Sequence, residues 1–376
     1  MKIDLQIISS GYDRKTCWVH ARPAAISVSP AKGIVTTQKL RVSGDDVFYE
    51  LNEFRSDDGG KSWSGPIPHK DTLGRHPLPD GGEEAICDFT PGWHAKTGVI
   101  LGTGQNAVYY DDTQRPYPSS RRTCYSVYSP EARTWTPWKK LASPFSEGAG
   151  STQRVDLPDG DVLLPTCWRL DAGAEPLHAS TVMRCGFNGI TLEYIEHGTE
   201  LTLPHGRGLV EPSLAFAGGR YFLTLRNNES GYVAVSEDGL RYGTPQKWTF
   251  DDGSELGSYN TQQHWLAHSD GLFLCYTRRG ANNDHIMRHR APLFMAQVDP
   301  ERLCVLRQTE QVLLPERGLM LGNFGAAAIT AGESWVTDSE YVPSSAAGKP
   351  TAAGGKGSTF VARVLWSTAN RLVPGR

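Results

Sequence analysis

The sequence predicts an all-β fold, a six-bladed β-propeller, built as one domain over residues 1–376. The observations behind it are composition, a recurring turn, and the strand-like runs that flank each turn. With 40 Gly, 24 Pro and 10 Trp and no long alanine- and leucine-rich stretches, the chain suits many short strands joined by tight turns. A glycine-centred turn followed by a strand of large apolar residues recurs six times, at Gly33, Gly98, Gly160, Gly219, Gly271 and Gly332. The intervals run from 52 to 65 residues, near-constant enough to read as repeats.

Each repeat reads as a three-strand antiparallel meander with a weaker fourth strand. Before the turn lies one strand-like run, such as 211–217 or 261–268, and after it comes a third, such as 123–129, 231–236 or 292–298. In the last repeat, residues 343–357 are low in complexity and predict a mobile loop, after which 358–367 supplies the third strand. A lone three-strand sheet cannot bury both faces. Six of them stacked around an axis can, with only short edges left over.

Composition narrows the function classes. Apolar residues at 39% and charged residues at 21% exclude a disordered chain. A formal net charge of −3 gives no global field for nucleic acid. No apolar run approaches the roughly 20 residues of a membrane span. Residues 1–18 show neither an apolar core nor a small-residue cleavage site, so the expectation is a cytoplasmic protein. The seven cysteines (17, 87, 124, 167, 185, 275 and 304) are scattered through apolar runs with no CxxC pair, which reads as reduced buried thiols and no zinc site. No nucleotide, haem or EF-hand motif appears, so no cofactor or metal is expected.

After the third strand of the first repeat, Ser56, Asp58, Gly60 and Trp63 fit S-x-D-x-G-x-x-W. Such a turn bonds Ser and Asp side chains to backbone amides, gives Gly positive φ and packs Trp on the next sheet. Degenerate copies sit in register at Ser129–Trp135 and at Ser236, Asp238 and Gly239. With these motifs the chain resembles the sialidase (neuraminidase) superfamily of six-bladed Asp-box propellers over nearly its whole length. Asp-boxes specify a fold, so the activity must come from strands converging on the axis.

The resemblance implies a set of site residues. Arg22, in His20-Ala-Arg22-Pro23, matches the first carboxylate-binding arginine, Arg226 matches the second, and Arg290 the third, with Arg278, Arg279 and Arg288 as rivals. Asp46, in Gly44-Asp45-Asp46, matches the acid/base aspartate, and Glu211, in Val210-Glu211-Pro212, the glutamate that opens the fourth blade. Glu340 resembles the glutamate ending the last blade. The tyrosine nucleophile has no counterpart: counting back from the last turn reaches Asn323, within Leu321–Gly325.

Residue chemistry gives each match a plainer alternative. The arginines of 278–290 also suit a solvated loop, Glu211 a structural pair with an arginine, and Asp46 an ordinary turn. Residues two apart on a strand share a face, so His20 and Arg22 are expected to point to one place. Gln263 and Glu211 stand equally far before their turns, so Gln263 and its neighbour His264 are expected to contact a sugar, while His94 suits a surface loop equally well. The expected function is an exo-acting glycoside hydrolase for a terminal sialic or uronic acid-type sugar. In it Arg22, Arg226 and Arg290 hold the carboxylate, Asp46 serves as acid/base, and Glu211 and His20 serve as base or water-activating groups. Two alternatives stand beside it. One is elimination at a rhamnose–uronic acid linkage with a histidine base. The other is a non-catalytic propeller that binds carbohydrate or protein. The expected partner is a carbohydrate with a carboxylate, not nucleic acid or membrane, and the sequence leaves the oligomeric state open.

Overall fold

A computed structural model of the chain describes residues 1–28, 30–42, 46–110, 113–114, 121–170, 177–343 and 354–373. The sixfold repeat is real: six antiparallel sheets follow one another along the chain. The first is Thr16–Val28, Ala31–Arg41, Phe48–Ser56 and Ser64–Pro68. The second is built on Glu83–His94, Val99–Tyr110 and Thr123–Ser129, and the third on Val155–Asp156, Val162–Leu170, Leu177–Phe187 and Leu192–His197. The fourth holds Val210–Ala217, Arg220–Arg226, Gly231–Ser236 and Gln246–Lys247, and the fifth His264–His268, Gly271–Tyr276 and Leu293–Asp299 with two short outer strands. The sixth combines Gly325–Thr330, Glu333–Ser339 and Thr359–Leu365 with Lys2–Ser9 from the opposite end of the chain.

That last pairing closes the ring. Lys2 lies opposite Leu365 and Ser9 opposite Thr359, so the first strand of the chain is the outermost strand of the last blade. Both ends of the domain are thus held by one ladder. Each sheet buries its two faces against its two neighbours, and apolar clusters fill the seams between successive blades. Ala25, Val35, Phe54, Trp335 and Val361 fill the seam where blade six meets blade one. Phe222, Trp248, Trp265 and Phe294 fill the seam between blades four and five.

The turns explain part of the glycine period: Gly98, Gly160 and Gly219 have positive φ. Ala217 pairs with Arg220 across Gly218 and Gly219, whose φ values of 57° and 84° match the two-residue hairpin turn that fits strand twist. Gly33 departs from the expected role: it lies inside the strand Ala31–Arg41, paired with Ala25 and Ser56. There a Cβ would come within 2.6 Å of the Trp335 ring, so this glycine answers to a close approach between blades and not to a turn.

The Ser56–Trp63 turn has the expected geometry. Ser56 Oγ bonds Asp58 Oδ1 (2.8 Å) and accepts from the Gly60 amide, while Asp58 Oδ1 accepts from the amides of Lys61 and Ser62. Trp63 lies 5.0 Å from Trp335 of the neighbouring blade. Ser236, Asp238 and Gly239 repeat the same bonds in blade four. All seven cysteines are free and buried. Most of the loop expected at 343–357, namely 344–353, lies outside the described residues.

Candidate active site

A polar cavity of about 260 Å³ opens at one end of the axis. Its lining includes His20, Asp88 and Glu211 of the innermost strands, and these share a backbone feature with their counterparts in two further blades. His20 (φ 55°), Asp88 (52°), Ser151 (58°), Glu211 (47°) and Asn260 (49°) all lie in the left-handed region, one in each of five blades. The ladder registers slip at Val19/Arg22, Cys87/Thr90 and Val210/Ser213, which marks bulges at three of them. A bulge turns one side chain out of the strand's alternation and re-aims it. Non-glycine residues held at positive φ store about 1–3 kcal/mol each and gather at functional sites.

Of the sequence-derived candidates, His20, Asp46, Glu211, Arg226 and Arg290 line this one cavity. Three others do not. Arg22 is fully buried beneath it, its Nη1 donating to Thr90 Oγ1 (2.7 Å) and its Nη2 to Ser151 Oγ (2.9 Å) and Gln262 Oε1 (3.2 Å). The expectation that His20 and Arg22 share a face fails because the bulge between them breaks the alternation. Gln263 lies in the seam of blades four and five, bonded to Thr224 and Ser258. His264 is buried as well, its Nδ1 at 2.8 Å from Ser213 Oγ and its ring against Phe324. Counting from the turns equates Gln263 with Glu211, but blade five has its left-handed residue earlier, at Asn260. Positions 263 and 264 therefore fall below the cavity.

One wall is cationic. Arg226 Nη1 donates to Glu211 Oε1 (2.5 Å) and its Nη2 to Asn260 Oδ1 (2.7 Å). Arg290 donates to the Asn260 carbonyl. Arg207 and Arg288 also line the cavity, and neither side chain has a partner among the described residues. Burial, together with Arg226 and Arg288, pushes the Arg290 guanidinium down to about 9. The rivals Arg278 and Arg279 point elsewhere, the first to Glu310 (2.6 Å) and the second over the Tyr259 ring.

The remaining walls are acidic and imidazole-bearing. His20 Nε2 lies 3.2 Å from Asp88 Oδ1, which also accepts from Ser151 Oγ (2.9 Å), while Asp88 Oδ2 accepts from Gln105 Nε2 (2.8 Å). The Asp88 carboxyl is held well below the usual range: burial opposes this, but His20, Arg22 and these donors outweigh it. Burial lowers His20, against the opposing charge of Asp88. Burial raises Glu211, yet the Arg226 guanidinium wins and its carboxyl lies below the ordinary value. A second imidazole–carboxylate pair, His178 with Glu147, faces the same cavity. Sequence reading missed Asp88, Glu147, His178 and Arg207. Only Asp88 carried a signal, a lone charge inside the apolar run Ala85–Phe89.

Asn323 lines the cavity at the position where the resemblance places a tyrosine, and no tyrosine lines it among the described residues. Glu340 does not line it. It is buried near Arg317 (3.3 Å) and accepts the amides of Lys356 and Ser358. His94 is likewise structural, bonded to Thr97 Oγ1 (2.7 Å) and the Gly160 carbonyl (3.0 Å). Among the described residues no cluster of His, Cys, Asp and Glu is placed to hold a metal.

Asp338, buried near Arg22 and Arg290, gives a testable pH effect. Burial pushes its carboxyl up to about 7, although it accepts the amides of Gly322 and Ser339. The folded state then keeps a proton that the unfolded chain has released, so stability falls as pH rises from about 4 to about 7. Asp338→Asn is expected to flatten that decline. Urea midpoints across this range check it, and an unchanged slope would remove Asp338 as the cause.

No family model and no curated protein matches this chain. Solved structures do. A protein of unknown function from Dyadobacter fermentans DSM 18053 superposes with a TM-score of 0.60 at 14% identity, over 96% of this chain and 99% of that one. The NanB sialidase from Streptococcus pneumoniae gives 0.61 at 10% identity, over 95% of this chain and 70% of that one. The Trypanosoma rangeli sialidase in complex with sialic acid gives 0.58 at 11% identity, over 98% and 59%. At these identities the likeness carries the fold, and this chain has the six-bladed β-propeller fold of the sialidases.

Proposed function

We propose that this protein is an exo-acting glycoside hydrolase that removes a terminal sugar bearing a carboxylate. The observation that carries the reading is the crowding of Arg207, Arg226, Arg288 and Arg290 along one side of a concave axial cavity, two of them with no side-chain partner among the described residues. Four guanidinium groups in a shared wall repel one another, and a bound anion relieves that repulsion. A carboxylate matches their planar, bidentate geometry. The sialic acid complex of the Trypanosoma rangeli sialidase supplies one sugar of this kind. We read the turns at Ser56–Trp63 and Ser236–Gly239 as Asp-boxes, consistent with this class.

With Asn323 in place of a tyrosine, a tyrosyl intermediate has no nucleophile, and water takes that part. Glu211, kept ionised by Arg226 and with no protein donor on Oε2, is placed to draw a proton from such a water. Asp46 stands exposed at the rim.

His20 favours a second reading. Its Nδ1 carries no protein partner and its ring belongs to the cavity wall, which suits a base for elimination at a uronate whose carboxylate the arginines neutralise. One assay separates these readings. The chain is incubated with terminal sialosides, terminal uronides and uronides that carry a rhamnosyl group on O4, while reducing ends and unsaturated-uronate absorbance are followed. Reducing sugar without the absorbance is expected. The absorbance identifies elimination, and binding without either product identifies a non-catalytic propeller.

A further inference from the structure

The two imidazole–carboxylate pairs of the cavity make opposite demands on protons. His20 has one bonded nitrogen, Nε2, facing Asp88, and its Nδ1 is bare. One ring proton satisfies that arrangement. His178 has one nitrogen bonded and the other within ion-pair distance of a carboxyl. Its Nδ1 lies 3.1 Å from the carbonyl oxygen of Arg207, which also accepts the His178 amide (3.0 Å). A carbonyl has only lone pairs to offer, so Nδ1 must carry a hydrogen. The other nitrogen, Nε2, faces Glu147 Oε2 at 3.4 Å. Were His178 neutral and Glu147 ionised, two lone pairs would face each other there. The contact is attractive only if a further proton lies on Nε2 or on the carboxyl.

The second oxygen of Glu147 points the same way. Oε1 is buried in the wall and has no hydrogen-bond partner, and the residue as a whole is 3% exposed. A buried carboxylate oxygen without a donor is costly, and much less so when the group is neutral. The backbone here is held by the Leu209 amide and Thr202 Oγ1, which both bond the His178 carbonyl, and the ring is held by its Nδ1 on the Arg207 carbonyl. The titratable and charged groups that line the cavity with the pair include Cys167, from the neighbouring strand, Arg121, Arg207 and Glu211. The Cys167 thiol stays protonated, so it is no proton acceptor at neutral pH.

We propose that Glu147 and His178 hold one proton in common at neutral pH and that this pair is the general acid of the cavity. The acid role rests on the hydrolase reading above; the shared proton does not. In the reaction, the pair's proton moves to the glycosidic oxygen as the bond from that oxygen to the anomeric carbon breaks, its electron pair staying on the oxygen. A water oxygen bonds to the anomeric carbon and the proton it sheds goes to Glu211. Exchange with solvent returns both groups to their starting states. Acid and base are then separate: an ionised Glu211 held by Arg226 on one side, a protonated pair on the other.

Two measurements test it. In the full chain with ¹⁵N-labelled histidine and ¹³C-labelled glutamate, NMR near pH 7 is expected to show His178 with both ring protons or Glu147 with a protonated carboxyl. Glu147→Gln is expected to leave His178 with a single proton, on Nδ1. A wild-type His178 with one proton beside an ionised Glu147 overturns the proposal without any variant having to fold. For the acid role, Glu147→Gln is compared on a sugar–alkyl and a sugar–nitrophenyl glycoside of the acidic sugar that the wild type turns over. The alkyl leaving group needs a proton, so kcat is expected to fall about 10²–10⁴-fold there and little with nitrophenoxide. Equal losses on both overturn the acid role, with His178→Gln as the second variant. A wild type inactive on every acidic glycoside removes the hydrolase reading and the acid role together, while the NMR result still decides the shared proton.

Discussion

Arg22→Met is expected to lower stability by about 3–5 kcal/mol, the range for removing one member of a buried charged network. Methionine replaces most of the stem but none of the donors. Thr90, Ser151 and Gln262 come from separate stretches of the ring, and each loses its bond to the guanidinium. The buried carboxyls of Asp88 and Asp338 lose the cation that Arg22 places near them. The space is tight as well, since a Cβ on Gly325 would sit 2.9 Å from both Cα and Cγ of Arg22. Urea unfolding followed by tryptophan fluorescence checks it. A loss under about 1 kcal/mol, the size of an ordinary surface change, would show that Arg22 does not bind the blades together.

Glu211→Gln is expected to reduce kcat on the acidic substrate by about 10²–10⁴-fold, the usual contribution of a positioned base, with the fold retained. Glutamine keeps the shape and can still accept from Arg226, but it cannot take a proton. The pH profile adds a signature. Glu211 acts as a base only when ionised, and Arg226 holds its carboxyl below the ordinary value. The acid limb of kcat/KM is therefore expected below the usual glutamate range, and Arg226→Lys, which keeps a charge but loses the fork, should move that limb upward. The same sign holds for stability: the contribution of the pair is present above the unfolded-chain value and is lost as pH falls through the folded one. Unchanged turnover in Glu211→Gln would remove it from the chemistry.

Much of the fold was legible in the sequence. The glycine period marked six meanders in part because tight hairpins need positive φ, as Gly98, Gly160 and Gly219 show, whereas Gly33, Gly271 and Gly332 keep the period without it. The Ser56–Trp63 turn was legible for a similar reason: its bonds join residues within a few positions of one another. Reading was weaker at the cavity. Asp46, Glu211, Arg226 and Arg290 were found through a resemblance carried by short motifs, and His20 through its place two residues from Arg22. Arg22 was misplaced because strand alternation was assumed across a bulge, and Gln263 and His264 because positions were counted from the turns while blade five has its left-handed residue earlier, at Asn260.

The sequence by itself determined the number of repeats, their strand order and the absence of a tyrosine at position 323. These depend on local turn chemistry and on residue identity, and both are properties of contiguous chain. Tertiary structure alone decided that Lys2–Ser9 closes the ring, that Arg22 lies under the cavity instead of in it, and that Glu147 meets His178. Each of these depends on where distant segments arrive once blades pack, and on single residues turned into the left-handed region. Neither leaves a periodic mark in the chain.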